Sequence, residues 1–203
     1  MAAALFVRAG DAEPAALIGS LGVRSVIAGA GEAVPTSLRS DGPLQEIPPV
    51  VVGGEPITAA RLRAAVVVGD LEAAKTMLGA PYPVEGRVVH GFHRGSTIGV
   101  PTANLRVRGW QLPPDGVYAV TASTGGFVGS GVANLGTNPT FGGGVRSLET
   151  NIFDFDRDLY GARLAVGFVA RLRGERKFEN VDELVSQIRR DITDARLIHA
   201  RHG

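Results

Sequence analysis

Between Gly95 and Leu105 the chain reads GSTIGVPTANL, with two glycines, one proline, two threonines and one asparagine ahead of a strand-like run. The residue types suit a nucleotide phosphate with its magnesium. Gly95, Ser96 and Gly99 offer backbone N–H groups that can surround an anion. Thr102 has a hydroxyl for Mg2+ or phosphate, Asn104 a carboxamide for the same cluster, and Pro101 stiffens the turn. The competing reading is that Thr and Asn close a local turn through their own backbone; composition alone leaves both open. Glu149, in SLETNIF, is the second residue with chemistry to offer. It alternates against Leu148, Thr150 and Ile152, so it points away from the apolar face of its strand. If its own face looks into a cleft, Glu149 can accept a proton from a substrate hydroxyl. Otherwise it is a solvated strand carboxylate.

Other chemistries lack their residues. There is no cysteine, which removes disulfides, thiolate metal sites and thiol nucleophiles together. No GxxxxGK[ST] loop, helix-opening GxGxxG, GxSxG elbow or HExxH occurs. Asp154, Asp156 and Asp158 in FDFDRDLYG have DxDxD spacing but neither the glycine nor the glutamate of a helix-flanked calcium loop. They read as a hairpin turn between strands. His90 and His93 have no third ligand near them in sequence, which disfavours a metal.

The elements that must position these residues change character along the chain. Leu21–Ala28 and Gln45–Val52 read as strands, the second kept at an edge by its prolines, with a loop over Ala30–Gly42 between them. From Thr58 the period is helical. Leu62, Ala65 and Val66 share a face, Gly69 interrupts, Asp70 caps a second helix to Leu78, and Gly79 stands at its C-cap. The Ala-Pro-Tyr-Pro run at 80–83 is a connector, which sets a boundary between residues 1–80 and 81–203. Beyond it, five strand-like runs with turn signals every eight to twelve residues point to a barrel or sandwich. They are VEGRVVHGF, GVYAVTAS, FVGSGVANLG, SLETNIFDF and ARLAVGFVARL. A final helix opens at Asn180 with Glu183 in capping-box spacing. Its stripe of Leu184, Ile188, Ile192 and Ala195 should lie on the sheet.

The 203 residues, 44% hydrophobic and 20% charged, fit a globular protein. A net charge of +1 makes no case for nucleic acid or an acidic membrane as partner. Six basic and eight acidic side chains lie up to residue 80, fifteen and twelve after it. The second part is thus the one suited to an anionic ligand. No apolar run is long enough for a membrane span or a signal segment, and the expected location is the cytoplasm. Oligomeric state is not legible.

The ordered motifs GRVVHGFHRGSTIGVPTANL, LPPDGVYAV, GVANLGTNPTFGG and SLETNIFDFDRDLYG, followed by a helix with QIRRDI, resemble the riboflavin kinase domain of bacterial bifunctional riboflavin kinase/FMN adenylyltransferases. The likeness runs from about Tyr82 to the C-terminus. It implies a mainly β fold, a six-stranded Greek-key barrel with a C-terminal helix. It also implies transfer of the ATP γ-phosphoryl to the riboflavin 5'-hydroxyl, giving FMN and ADP. Gly95, Ser96, Gly99, Thr102 and Asn104 would then hold the ATP phosphates, with Mg2+ on Thr102. Glu149 would be the catalytic base, and Arg173 and Phe178 would lie near the flavin. The chain departs from the family at Ser96, where a basic residue is usual, and at Val100, where an aromatic is; Arg94 is the charge nearest to hand. Upstream, EIPPVVVGGEPITAARLR resembles the last segment of the family's adenylyltransferase domain. That domain's HxGH motif has no counterpart. The resemblance therefore implies a small α/β remnant over residues 1–80 and no FAD synthesis. A non-catalytic flavin or nucleotide sensor on the same barrel is the alternative.

Overall fold

The computed structural model describes residues 26–29, 44–47, 49–91, 99–107, 109–137 and 146–202. The chain parts into two compact units, Met1–Ile57 and Thr58–Gly203. In the first, β1 (Val26–Gly29) runs parallel to β2 (Leu44–Ile47), with Val26 opposite Leu44 and Gly29 opposite Ile47. The single strand expected over Gln45–Val52 is two. β2 stops at Ile47, and β3 (Val51–Val52) instead turns back on β4 (Glu55–Pro56). Consecutive prolines at 48 and 49 have no N–H to give a ladder, which is why one strand cannot run through them. Gly53 and Gly54, with φ of 64° and 82°, make the tight turn of that small hairpin. Residues 21–25 and the loop expected over 30–42 lie outside the described residues.

The second unit begins with the two helices read from the sequence. In α1 (Ala59–Val68) Thr58 is the N-cap, its Oγ1 accepting from Arg61 N at 3.2 Å, and Gly69 ends the helix in the left-handed region at φ 79°. Asp70 Oδ1 then accepts from Ala73 N at 3.0 Å to start α2 (Leu71–Leu78), which Gly79 closes at φ 73°. Each cap removes an orphan helix N–H and is worth about 1 kcal/mol. The compact unit starts at Thr58, ahead of the connector at 80–83. Val66, Leu71 and Ala74 share one core cluster with barrel residues such as Val84 and Phe168, which ties both helices to the barrel.

Six strands close into that barrel: β5 (Tyr82–Val89), β6 (Ala103–Arg106), β7 (Gly116–Thr124), β8 (Phe127–Thr137), β9 (Arg146–Ile152) and β10 (Arg163–Arg173). The order around the barrel is β10-β5-β6-β9-β8-β7, every pairing antiparallel, with β7 returning to β10. β7, β8 and β9 form a meander, and β6 lies beside β9 rather than β7; that is a Greek-key arrangement. Closure leaves no unpaired edge.

Alternation along the strands sorts the side chains. Leu105, Leu148 and Leu135 stand opposite one another across β6, β9 and β8 and are 1%, 0% and 0% exposed, so they fill the interior. Burying a side chain of this kind contributes ~1.5–3 kcal/mol. Tyr118 and Phe168 meet edge to face inside, with ring centroids 5.0 Å apart. The outward face of β7, β8 and β10 is roofed by α3 (Val181–His202), whose Ala195, Ile192 and Ile198 pack on Val117, Val132 and Val169. The cap expected there is present. Asn180 Oδ1 accepts from Glu183 N at 2.9 Å, while Glu183 Oε2 accepts from Glu179 N at 3.2 Å, one residue earlier than in the usual box.

The acidic run is not the expected hairpin. β9 and β10 are not neighbours, so residues 153–162 cross from one to the other over the end of the barrel. Asp154, at φ 55°, binds the guanidinium of Arg196 on α3 through two bonds of 3.0 Å. Asp158 Oδ1 accepts from Tyr160 N at 2.8 Å in a local turn. These carboxylates fasten the crossover.

Candidate active site

Because β9 alternates, Glu149 and Asn151 face outward while Leu148, Thr150 and Ile152 face the core. Glu149 lies opposite Asn104 on β6 and opposite Asn134 on β8, making a polar row Asn104–Glu149–Asn134 across three strands. Directly opposed residues of this kind hold their Cβ atoms about 4.5–5.5 Å apart.

Two cavities flank the row. The larger, about 530 Å³, lies between the outer barrel face and the start of α3. Thr102, Glu149, Asn151, Arg173 and Phe178 line it with Val100 at its edge, and Val117, Val132, Leu184 and Ile188 give it apolar walls. The smaller, about 370 Å³, is lined by Gly91, Thr102, Asn104, Thr150, Arg157 and Tyr160 among others. Thr102 borders both. The larger combines its apolar walls with three carboxylates, Glu149, Glu175 and Asp191, and two arginines; the smaller is edged by a carboxamide, hydroxyls, Arg157 and Asp158.

Local contacts hold these groups in place. Asn104 is 7% exposed and lies against Gly91, where an added Cβ would stand 2.5 Å from Asn104 Cγ. A side chain at position 91 would force the carboxamide to move. Gly99, at φ 75°, turns the chain into Val100 and Pro101, and the Pro101 carbonyl accepts from Asn151 Nδ2 at 2.7 Å. Arg173 meets Asp191 on α3 side-on, Nε lying 3.0 and 3.1 Å from the two carboxylate oxygens and Nη2 2.7 Å from Oδ2. Gln187 Nε2 adds a fourth bond to Asp191 at 2.9 Å. Phe178 sits under two guanidinium groups, Arg173 at 5.8 Å and Arg176 at 5.3 Å from its ring centre, and Arg176 pairs with Glu183. The strand end and the following loop are thus pinned to α3 by charge-assisted bonds. At the far side of the smaller cavity Arg157 stacks over Phe155, 5.0 Å from its centroid.

Of the residues singled out in the sequence, Thr102, Glu149, Arg173 and Phe178 meet in the larger cavity. Asn104 lines the smaller one while being the cross-strand partner of Glu149. Gly99 shapes the turn without lining either cavity. Gly95, Ser96 and the nearby Arg94 lie outside the described residues. Sequence reasoning passed over Asn151 and Asp191. The first could have been found as the next outward residue after Glu149. The second carries only a weak signal, its helical spacing of four from Gln187.

Thr102 and Asn104 are oxygen donors of the kind Mg2+ accepts, and the ion keeps few protein ligands where phosphates supply the others. Among the described residues no group of three or more His, Cys, Asp or Glu side chains comes together as a self-sufficient metal site. The donor set fits a cation brought in with a nucleotide.

The site thus belongs to a closed six-stranded Greek-key barrel that is roofed by α3 over β7, β8 and β10 and bears its polar row on β6, β9 and β8. Residues 78–199 match the family model described as Flavokinase, riboflavin kinase, and the chain belongs to the riboflavin kinase family. It is 43% identical over 143 residues to the bifunctional riboflavin kinase/FMN adenylyltransferase of Bacillus subtilis, covering 68% of this chain and 45% of that protein. With the protein of the same description from Escherichia coli K12 it shares 42% over 145 residues, 71% of this chain and 46% of the other. The chain spans less than half the length of these curated relatives. A crystal structure described as a macrolide-efflux protein from Streptococcus pneumoniae superimposes with a TM-score of 0.66 at 36% identity, over 86% of this chain and 60% of that one. Among the described residues no helix is long and apolar enough to cross a membrane.

Proposed function

We propose that this chain is a riboflavin kinase, transferring the γ-phosphoryl group of ATP to the 5'-hydroxyl of the riboflavin ribityl chain to give FMN and ADP. The observation that carries the reading is the meeting of Thr102, Glu149, Arg173 and Phe178 in one cavity, with Thr102 shared by a second cavity beside it. Riboflavin occupies the larger cavity, its ring system against Val117, Val132, Leu184 and Ile188 and its ribityl chain directed to Glu149. The nucleotide occupies the smaller one, with its phosphates reaching Thr102 and Asn104.

In the reaction a bond forms between the ribityl oxygen and the γ-phosphorus as the bond from that phosphorus to the β,γ-bridging oxygen breaks. The hydroxyl proton passes to Glu149, and ADP leaves with the bridging electrons. Such transfers run through a loose transition state, so alignment matters more than base strength. Glu149 orients the hydroxyl, and a base of this kind contributes ~10²–10⁴ in rate. Mg2+, when bound with the nucleotide, supplies neutralisation of the phosphate charge. Thr102 and Asn104 would hold it and the phosphates on the Glu149 side. The polar row keeps the donor and acceptor subsites in register, because Asn104 and Glu149 belong to directly paired positions.

The protein incubated with riboflavin, ATP and Mg2+ should yield FMN and no FAD. Absence of FMN refutes the kinase reading, and flavin binding without turnover replaces it with the sensor alternative. FAD among the products refutes the assignment of a kinase alone.

A further inference from the structure

The ladder between β6 and β9 ends at the pair Ala103 and Thr150. One step further along the same antiparallel register Thr102 would face Asn151. Pro101, just beyond, has no N–H and cannot extend the ladder. The attachment nevertheless continues, through a side chain: Asn151 Nδ2 donates to the Pro101 carbonyl at 2.7 Å, across 50 residues of sequence. Asn151 and Glu149 are two apart on one strand and therefore share its outward face, and both line the larger cavity with Thr102.

From this geometry we infer that Asn151 is a positioning residue for phosphoryl transfer, clasping the loop that bears Thr102 to the strand that bears Glu149. A proline-led loop attached only at Ala103 could shift Thr102 relative to the carboxylate. The clasp fixes that spacing from the other side of Thr102. Its catalytic consequence rests on the kinase function proposed above; the clasp itself does not.

The test uses the intact protein with Asn151→Leu, which keeps roughly the volume and removes the donor, and Asn151→Gln, which keeps the donor. Asn151→Ser, too short to reach Pro101, serves should the leucine variant not fold. Hydrogen–deuterium exchange of the Thr102–Arg106 amides reads the clasp without turnover. Loss of one hydrogen bond should speed exchange there about tenfold in the Leu or Ser protein, and much less in the Gln protein. In steady-state kinetics kcat of the Leu or Ser protein should fall about 10–100-fold, as small misplacements of reacting groups do, and that of the Gln protein much less. Unchanged exchange at these amides refutes the clasp. Loosened exchange with unchanged kcat refutes its role in positioning. Faster exchange alongside a wild-type protein that makes no FMN refutes the kinase function while upholding the clasp.

Discussion

Replacing Asp191 by alanine should loosen the wall of the larger cavity and leave the smaller one intact. The carboxylate is 6% exposed and its partner Arg173 22% exposed. It receives three short contacts from Arg173 and one from Gln187. Removing one member of a fully buried pair costs about 3–5 kcal/mol, chiefly because the remaining charge is stranded. Arg173 would not be wholly stranded, since Nη1 keeps its 3.0 Å bond to the Gly174 carbonyl and part of the guanidinium reaches water. That places the loss at about 2–3 kcal/mol. At roughly 2–4 °C per kcal/mol for a domain of this size, Tm should fall by about 4–12 °C. Arg173 also lies over the Phe178 ring, so its release frees the segment that closes the cavity. Riboflavin KM should rise about tenfold, equivalent to ~1.4 kcal/mol of lost binding, while ATP KM stays within about twofold. Thermal unfolding and steady-state kinetics on the same preparation make the measurement. An alanine protein with Tm and riboflavin KM both unchanged would show that the Arg173–Asp191 bridge neither supports the barrel nor shapes the cavity.

Gly91→Ala should act on the other side of Thr102. Its Cβ would overlap the Asn104 carboxamide, 2.5 Å from Cγ and 2.8 Å from Oδ1, so ATP KM should rise about tenfold with riboflavin KM unchanged. Equal effects on both substrates would contradict the division of the two cavities. Asp154 carries a pH dependence: hydrogen bonds from Arg196, reinforced by its charge, hold the carboxyl below its ordinary 3.8. A depressed acid contributes stability that is present above the unfolded pKa and lost as pH falls through the folded one. Wild type should therefore melt above Asp154→Asn at pH 6. The gap should close below pH 3.8, and at high salt. A gap that persists in acid would place the effect elsewhere.

How far these features were legible in the chain depends on how local their causes are. Thr58, Gly69, Asp70 and Gly79 set their helix ends through bonds within four residues, and the alternation of SLETNIF put Glu149 on the outward face before any fold was known. The strand expected after the motif, β6, in fact starts inside it at Ala103, and four residues, ANLR, are too few to display a strand period that would mark its start. The compact unit begins ahead of the connector that the prolines at 81 and 83 mark. Burial of Val66, Leu71 and Ala74 with distant barrel residues holds the two helices to it, and local punctuation carries no sign of that packing. The acidic run has turn chemistry, yet a turn signal cannot tell a hairpin from a crossover; that depends on which strands pair. Asn151 and Asp191 act through partners 50 and 18 residues away, and no spacing in the chain announces either bond.

The proposed activity turns on Glu149 as the acceptor of the ribityl proton. Glu149→Gln keeps the shape and removes the charge. With riboflavin, ATP and Mg2+, the wild type should form FMN, and the Glu149→Gln protein should be slower by ~10²–10⁴ while binding riboflavin within about twofold by fluorescence quenching. FMN production by the Glu149→Gln protein at the wild-type rate would contradict the role assigned to this carboxylate.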